Sequence, residues 1–294
     1  MTHCTRGAVY LATPGQDTAG ERLRRATEVL ARAGVRSPAR EARRLLALAA
    51  FGEFFGPGER LPRAVRGRFS RLVEARARGV PVPVLEGRTG FLDFELKVWP
   101  GVLVPRPETE ELAELARRLL QGFPPSPRAL DLGTGTGALA CALALARPDV
   151  RVLAVDIDRR ALACARWNVA RLGLRGRVEV RRSDWFSHVR GRFHLIVSNP
   201  PYVPREELSA LPPEVRCFEA RKALDGGEGG IEVAKEILRQ APGYLVSGGW
   251  LLLEIAPGQG GELVRFAQRT PDLVEPRVER DLAGKERFLI GRCR

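Results

Sequence analysis

No apolar run in the 294-residue sequence approaches the ~18 residues needed to cross a bilayer, and the opening stretch Met1-Thr-His-Cys-Thr-Arg-Gly-Ala-Val-Tyr10 lacks the apolar segment of a secretory leader. A soluble, untargeted, cytoplasmic chain with no membrane partner is therefore expected. Cysteine is scarce. The five, at 4, 141, 164, 217 and 293, form no C-x-x-C pair and no dense lattice, which excludes the usual zinc and disulfide frameworks and fits a reducing compartment. Lysine is scarcer still: only four of the 48 basic residues are Lys (97, 222, 235 and 285), so the positive charge is almost entirely arginine. Internal repeats and long low-complexity tracts are also missing, which sets aside solenoid and fibrous chains. What is present, 44% hydrophobic and 28% charged residues, suits a globular protein with a sizeable core and, at this length, two domains.

The formal charge of +13 is unevenly spread. Residues 1–80 hold 16 Arg against 7 acids, a net of +9, while residues 81–104 carry −1 and residues 105–294 carry +5. Clustered arginine neutralises phosphates or steers an acidic protein partner. An Arg-rich, Ala-rich genome would produce the same bias without selection for binding, and both readings stand at this point.

The chain falls into three stretches after an extension, residues 1–17, expected to be flexible. Thr18 and Glu21 have capping-box spacing ahead of Leu23, Ala26, Leu30 and Ala33. Ser37-Pro38 opens a second helix with Ser as N-cap, and a third runs from about Pro62 to Gly79. Residues 18–83 thus read as a helical domain without catalytic spacing. Residues 84–104 are expected to form a β-hairpin linker: Leu92, Phe94, Leu96 and Val98 alternate with polar residues as in a half-buried strand, and Gly87 to Gly90 supply a turn before it. A helix is expected over 108–121. From 129 onward strands near 129–132, 151–156, 177–181, 193–198 and 249–255 alternate with helices near 138–147, 158–172 and 231–241. That alternation predicts an α/β, doubly wound parallel sheet over residues 105–294, closed by an antiparallel hairpin of 274–280 and 287–290.

The chemistry gathers at the ends of these strands. Asp131-Leu-Gly-Thr-Gly-Thr-Gly137 follows the first strand and opens a helix, where Gly133, Gly135 and Gly137 let a nucleotide-like ligand lie against backbone. The spacing is not the G-x-G-x-x-G of a pyrophosphate site, and the acid before it suits the ammonium of S-adenosylmethionine. Asp156 ends the second strand, where an acid accepts ribose hydroxyls; Asp158 reads as the cap of the next helix. Asp184 and Trp185, after the third strand, would meet the adenine amine and ring, although Asp is also common in turns. Asn199-Pro-Pro-Tyr202 ends the fourth strand. Two prolines remove N–H donors, so Asn199, Pro200, Pro201 and Tyr202 present carbonyl acceptors and a ring to a planar NH₂. Holding both its hydrogens while favouring a pyramidal nitrogen frees the lone pair for attack on a methyl sulfonium. Asn199 is the catalytic candidate, with Pro200 and Tyr202 beside it, and His188 and His194 are not needed as bases.

With these motifs the sequence resembles class I S-adenosylmethionine-dependent methyltransferases and, among them, the release factor glutamine methyltransferase family of the PrmC or HemK type. The resemblance runs from about residue 20 to the end. It rests on Val102-Leu-Val-Pro-Arg-Pro-Glu-Thr-Glu110, Asp131 to Gly137, Ser198-Asn-Pro-Pro-Tyr202, Leu252-Leu-Glu-Ile255 and Asp281-Leu-Ala-Gly284. Phe218-Glu-Ala-Arg-Lys-Ala-Leu-Asp-Gly-Gly227 departs from the family pattern, with Phe for Tyr and Ala for Pro, but keeps Glu219 as a substrate-side candidate. The resemblance implies S-adenosylmethionine as cofactor, held by Gly133, Thr134, Gly135, Thr136, Gly137, Asp156, Trp185 and Asn199, to which the motifs themselves add Asp131 and Asp184. It implies as substrate the Gly-Gly-Gln glutamine of class 1 peptide release factors, held by Asn199 to Tyr202, with no metal required. A monomer is expected, with the basic helical domain docking the protein substrate and nucleic acid not required. Three alternatives remain: a glutamine of a ribosomal protein, an exocyclic amine of a nucleic-acid base, and a non-catalytic ribosome-associated binder that retains the cofactor. The Asn-Pro-Pro-Tyr motif is shared with DNA adenine methyltransferases, but too little chain follows Tyr202 for a base-flipping enzyme's target-recognition region.

Overall fold

The computed structural model describes residues 18–294, so the extension expected over 1–17 lies outside the described residues. The chain divides into two compact units: one reaches to Gly87 and includes Pro212–Phe218, the other comprises Arg88–Leu211 and Glu219–Arg294.

The smaller unit holds α1 (Ala19–Arg32), α2 (Pro38–Ala49), α3 (Arg63–Ala77) and α4 (Val82–Glu86), together with the short α8 (Pro213–Arg216). The capping box at the start of α1 is formed in both directions, Glu21 N–H donating to the Thr18 hydroxyl and Thr18 N–H to the Glu21 carboxylate. Ser37 stands at the N-cap of α2, but its side chain makes no capping bond; Pro38, at the first turn, needs no acceptor for the N–H it lacks. Ala26, Leu30, Leu45, Leu61, Phe69 and Val73 form a separate apolar core.

The larger unit begins with a hairpin, β1 (Arg88–Phe91) and β2 (Phe94–Lys97). The turn expected at 87–90 falls elsewhere. Gly87, at φ +69°, ends α4, and the chain reverses at Leu92-Asp93 with Leu92 at φ +51°. Placing the reversal there pairs Phe91 with Phe94, whose rings meet edge to face at 5.6 Å, and buries Phe91.

Then follow α5 (Pro107–Gln121), β3 (Arg128–Leu132), α6 (Ala138–Ala146), β4 (Arg151–Asp156), α7 (Arg159–Arg171), β5 (Val178–Arg182) and β6 (Phe193–Ser198). The chain ends with α9 (Glu232–Gln240), β7 (Leu245–Glu254), α10 (Gly260–Gln268), β8 (Leu273–Arg280) and β9 (Glu286–Cys293). The seven strands lie in the order β5-β4-β3-β6-β7-β9-β8, with β3 to β7 parallel and β9 antiparallel to both β7 and β8. Side chains alternate faces along each strand. Ala129, Val152, Val197 and Leu252 pack with α5, α6 and α7 in one core, and Leu130, Leu153, Ile196 and Leu251 pack with α9 and α10 in the other. The α/β doubly wound expectation holds. Strand order reverses between β3 and β6, so their carboxyl ends open on one crevice, the place where such sheets bind ligands.

Candidate active site

Except for Glu219, every site residue named from the sequence lies at a strand's carboxyl end: Asp131 to Gly137 at β3, Asp156 at β4, Asp184 and Trp185 after β5, and Asn199 to Tyr202 after β6. After β3 the backbone turns through left-handed glycines, Gly133 at φ +70°, Gly135 at +56° and Gly137 at +84°. A Cβ on Gly137 would stand 3.2 Å from that of Ala165 on α7, and one on Gly133 3.5 Å from the Trp185 ring. Gly137 is therefore packed tightly on α7, while Gly133 lies in ordinary contact range of the Trp185 ring.

Asp131 is completely buried. Its Oδ2 accepts from the Thr134 hydroxyl at 2.6 Å and from Ala140 N–H at 3.1 Å, while Oδ1 has no hydrogen-bond partner among the described residues. Burial, with the Asp156 charge adding to it, pushes this carboxyl up to about 7. Asp156 accepts Gly135 N–H on Oδ2 at 2.9 Å and Asp158 N–H on Oδ1 at 2.8 Å, and burial raises its pKa as well. Asp158 caps α7 as expected, accepting from Arg160 N–H at 2.6 Å, and pairs with Lys222 Nζ at 2.6 Å. Asp184 is exposed at the head of a turn, its N–H donating to Ser187 Oγ at 3.1 Å. Trp185, at φ +44°, is held there by the Ser183 hydroxyl on its carbonyl at 2.7 Å.

Asn199 is partly exposed where β6 ends. Its Nδ2 donates to the Thr109 hydroxyl at 3.0 Å, Thr109 donates to Glu254 Oε2 at 2.9 Å, and the Tyr202 phenol donates to Glu254 Oε1 at 3.4 Å. Burial pushes Glu254 up to about 7, and burial together with the Glu254 charge raises the Tyr202 phenol. Pro200 and Pro201 are buried beneath this arrangement. The loop is braced from behind: Val203 N–H donates to Leu224 O and Gly226 N–H to Val203 O, both at 2.9 Å. Gln259 Nε2 donates to Tyr202 O, also at 2.9 Å. Glu219 lies beside rather than within this group. It is buried, accepts from Arg106 and bridges to Gly101.

Three residues that sequence reasoning passes over belong to the same place. Thr109 and Glu254 lie inside quoted motifs, but no spacing relates them, since they meet only when α5 packs beside β7. Asn168 had a signal of its own, a fully buried polar residue on the Ala161, Cys164, Ala165 face of α7. It ties the glycine loop to the hairpin, donating to Thr136 O at 2.9 Å and to Lys97 O at 3.0 Å and accepting from Lys97 N–H at 2.8 Å. His194 sits at the opposite end of the sheet, its Nδ1 accepting from Arg128 N–H at 3.1 Å.

Residues 110–227 match the methyltransferase small domain family. A release factor glutamine methyltransferase of Cereibacter sphaeroides is 40% identical over 281 residues, spanning 93% of this chain and 98% of its own. One of Pseudomonas aeruginosa is 42% identical over 236 residues, spanning 80% and 84%. Among solved structures, a methyltransferase from Pyrococcus furiosus superposes with a TM-score of 0.50 at 21% identity, over 68% of this chain and 89% of that one. A T. thermophilus 16S rRNA methyltransferase in complex with AdoMet and guanosine gives 0.51 at 22% identity, over 70% and 50%. Sheet order, glycine loop and terminal carboxylates together are those of a class I methyltransferase. The chain belongs to the release factor glutamine methyltransferase family, which its relatives match along most of their length.

Proposed function

We propose that the protein transfers a methyl group from S-adenosylmethionine to the side-chain nitrogen, N5, of the glutamine in the Gly-Gly-Gln motif of class 1 peptide release factors. The observation that carries this reading is the match to a release factor glutamine methyltransferase over 93% of the chain, helical residues included.

The residues present fit the cofactor. Its ammonium matches the buried Asp131 Oδ1, which lacks a partner among the described residues, and the left-handed glycines at 133, 135 and 137 leave the loop backbone bare of side chains. Asp131 and the backbone of Gly133, Thr134, Gly135, Thr136 and Gly137 would hold the amino-acid end and Asp156 the ribose hydroxyls. Asp184 would take the adenine amine, Trp185 would cover the ring and Asn199 would form an edge of the pocket. When bound, S-adenosylmethionine supplies an electrophilic methyl group. The chain's own part is to orient the nucleophile. Asn199 Oδ1 and the Pro200 carbonyl accept the two hydrogens of the glutamine amide, Pro201 and Tyr202 fix its plane, and Glu219 with Arg106 borders the substrate side. Such positioning replaces a covalent nucleophile.

Substrate docking falls to the helical unit. Arg22, Arg63, Arg66 and Arg71 line an open cleft of about 780 Å³ in it, suited to an acidic protein surface. Incubation with labelled S-adenosylmethionine and, separately, a release factor, ribosomal proteins, total RNA and DNA tests the assignment. Label in the release factor supports it, and label confined to another substrate replaces it.

A further inference from the structure

Asn199 serves the proposed reaction in one orientation only. Its amide must turn Oδ1, an acceptor, toward the substrate NH₂; turned over, it would offer two N–H donors to a group that is itself a donor. The two ends of a side-chain amide are nearly equal in size, so packing does not choose between them. The choice is made by the atoms behind it. Asn199 Nδ2 points at Thr109 Oγ1, 3.0 Å away, and Thr109 points its single proton at Glu254 Oε2, 2.9 Å away. With that proton committed to a carboxylate that only accepts, Thr109 meets Asn199 as an acceptor, and only Nδ2–H satisfies it. The other carboxylate oxygen takes the Tyr202 phenol at 3.4 Å, so one buried group grips both ends of the tetrapeptide. Thr109 is 4% exposed and Glu254 1%, which keeps water from substituting for either.

We propose that Thr109 and Glu254 are positioning residues that lock the Asn199 amide with its acceptor toward the substrate, a role that rests on the glutamine methyl-transfer reading above. The donor chain has a direction only while Glu254 is ionised. Protonated, Glu254 donates to Thr109, whose own proton is then free for Asn199 Oδ1, and the amide is released to turn over. The groups facing Glu254 set the balance. Burial acts most strongly and raises its pKa to about 7, and Glu108 adds to that; the Thr109 and Tyr202 hydroxyls and Arg287 favour the ionised form. Arg287 is itself held by Asp281 at 3.3 Å and by Glu108 at 3.8 Å. Transfer therefore declines as pH falls through about 7.

The test uses full-length wild type, Thr109→Ser, Thr109→Val and Glu254→Gln on a release factor at saturating S-adenosylmethionine, with cofactor Kd from calorimetry. Thr109→Val lowers kcat at least ~10-fold while KM and cofactor Kd stay within about threefold, and Thr109→Ser, which keeps the hydroxyl, recovers most of the loss. Wild-type kcat falls from about pH 8 to 6, and Glu254→Gln removes that decline. Glu254→Gln preserves the buried volume and decides the matter if Thr109→Val unfolds by circular dichroism. The proposal is overturned if Thr109→Val matches wild type, if Thr109→Ser is as impaired as Thr109→Val, if cofactor affinity falls in proportion to kcat, or if the acid decline persists in Glu254→Gln. A wild-type protein that leaves glutamine unmodified overturns the underlying reading instead.

Discussion

Asn199 and Asp156 stand at the ends of different strands and are expected to fail differently. On the proposed assignment Asn199→Ala removes an acceptor for the substrate amide and only an edge of the cofactor pocket, so turnover should be abolished with cofactor affinity nearly retained. Asp156→Ala loses charge-assisted hydrogen bonds of roughly 1.5–3 kcal/mol each and should weaken cofactor binding tenfold or more, with turnover recovered at saturation. Calorimetry and turnover on the same samples separate the two; proportional losses in both quantities for either variant contradict its assigned role. Asp131 adds a pH dependence. Its pKa is raised to about 7 by burial and the Asp156 charge, against the Thr134 hydroxyl and Ala140 N–H, and Cys141 is its other titratable neighbour. Pairing with a cationic ammonium needs the ionised form, so cofactor affinity should fall about tenfold per unit as pH drops below about 7. Asp131→Asn should be weaker throughout and insensitive to pH in that range. Asn199, Asp156 and the glycines were legible because each sits in a contiguous motif at a strand end. Glu254 and Thr109 were not, because their partnership is a product of tertiary packing.

At the scale of elements, the parallel strands were legible through apolar runs alternating with helices. The misplaced features have local causes. Gly260-Gly261 hides the start of α10, and Gly248-Gly249 conceals the first half of β7, where the pairing with β6 shifts between Phe193 and Leu195. Gly87 looked like a hairpin turn but ends a helix. The loop containing Gly226 shows what a sequence departure does and does not disturb. Phe218 and Ala220 differ from the family pattern, yet Leu224 and Gly226 still brace the Asn-Pro-Pro-Tyr loop through backbone bonds. A Cβ on Gly226 would come within 2.6 Å of Gly230 O and 2.8 Å of Pro201 O and Tyr202 Cα, all backbone atoms. Gly226→Ala should therefore displace the loop, lower kcat more than tenfold and destabilise the chain by ~1–3 kcal/mol, with cofactor Kd little changed. Normal turnover in this variant, with a thermal midpoint equal to wild type, would show that the loop does not depend on the close approach.

At the scale of the whole molecule, charge and chemistry are separated along the sequence. Residues 1–80 carry +9 of the net +13 and no catalytic motif, while the residues proposed to react stand at strand ends of the larger unit. If the arginine cleft docks an acidic surface, Arg63→Gln with Arg71→Gln should raise KM several-fold on the intact release factor, more at low salt, and leave a short Gly-Gly-Gln peptide nearly unaffected. Equal effects on peptide and protein would reduce those arginines to composition. Wild-type protein, S-adenosylmethionine and an intact release factor should yield, by tandem mass spectrometry, one added methyl on the side-chain nitrogen of the Gly-Gly-Gln glutamine, and none in a release factor with Asn in its place. Methylation at another residue, or transfer to RNA in preference to the release factor, would contradict the account.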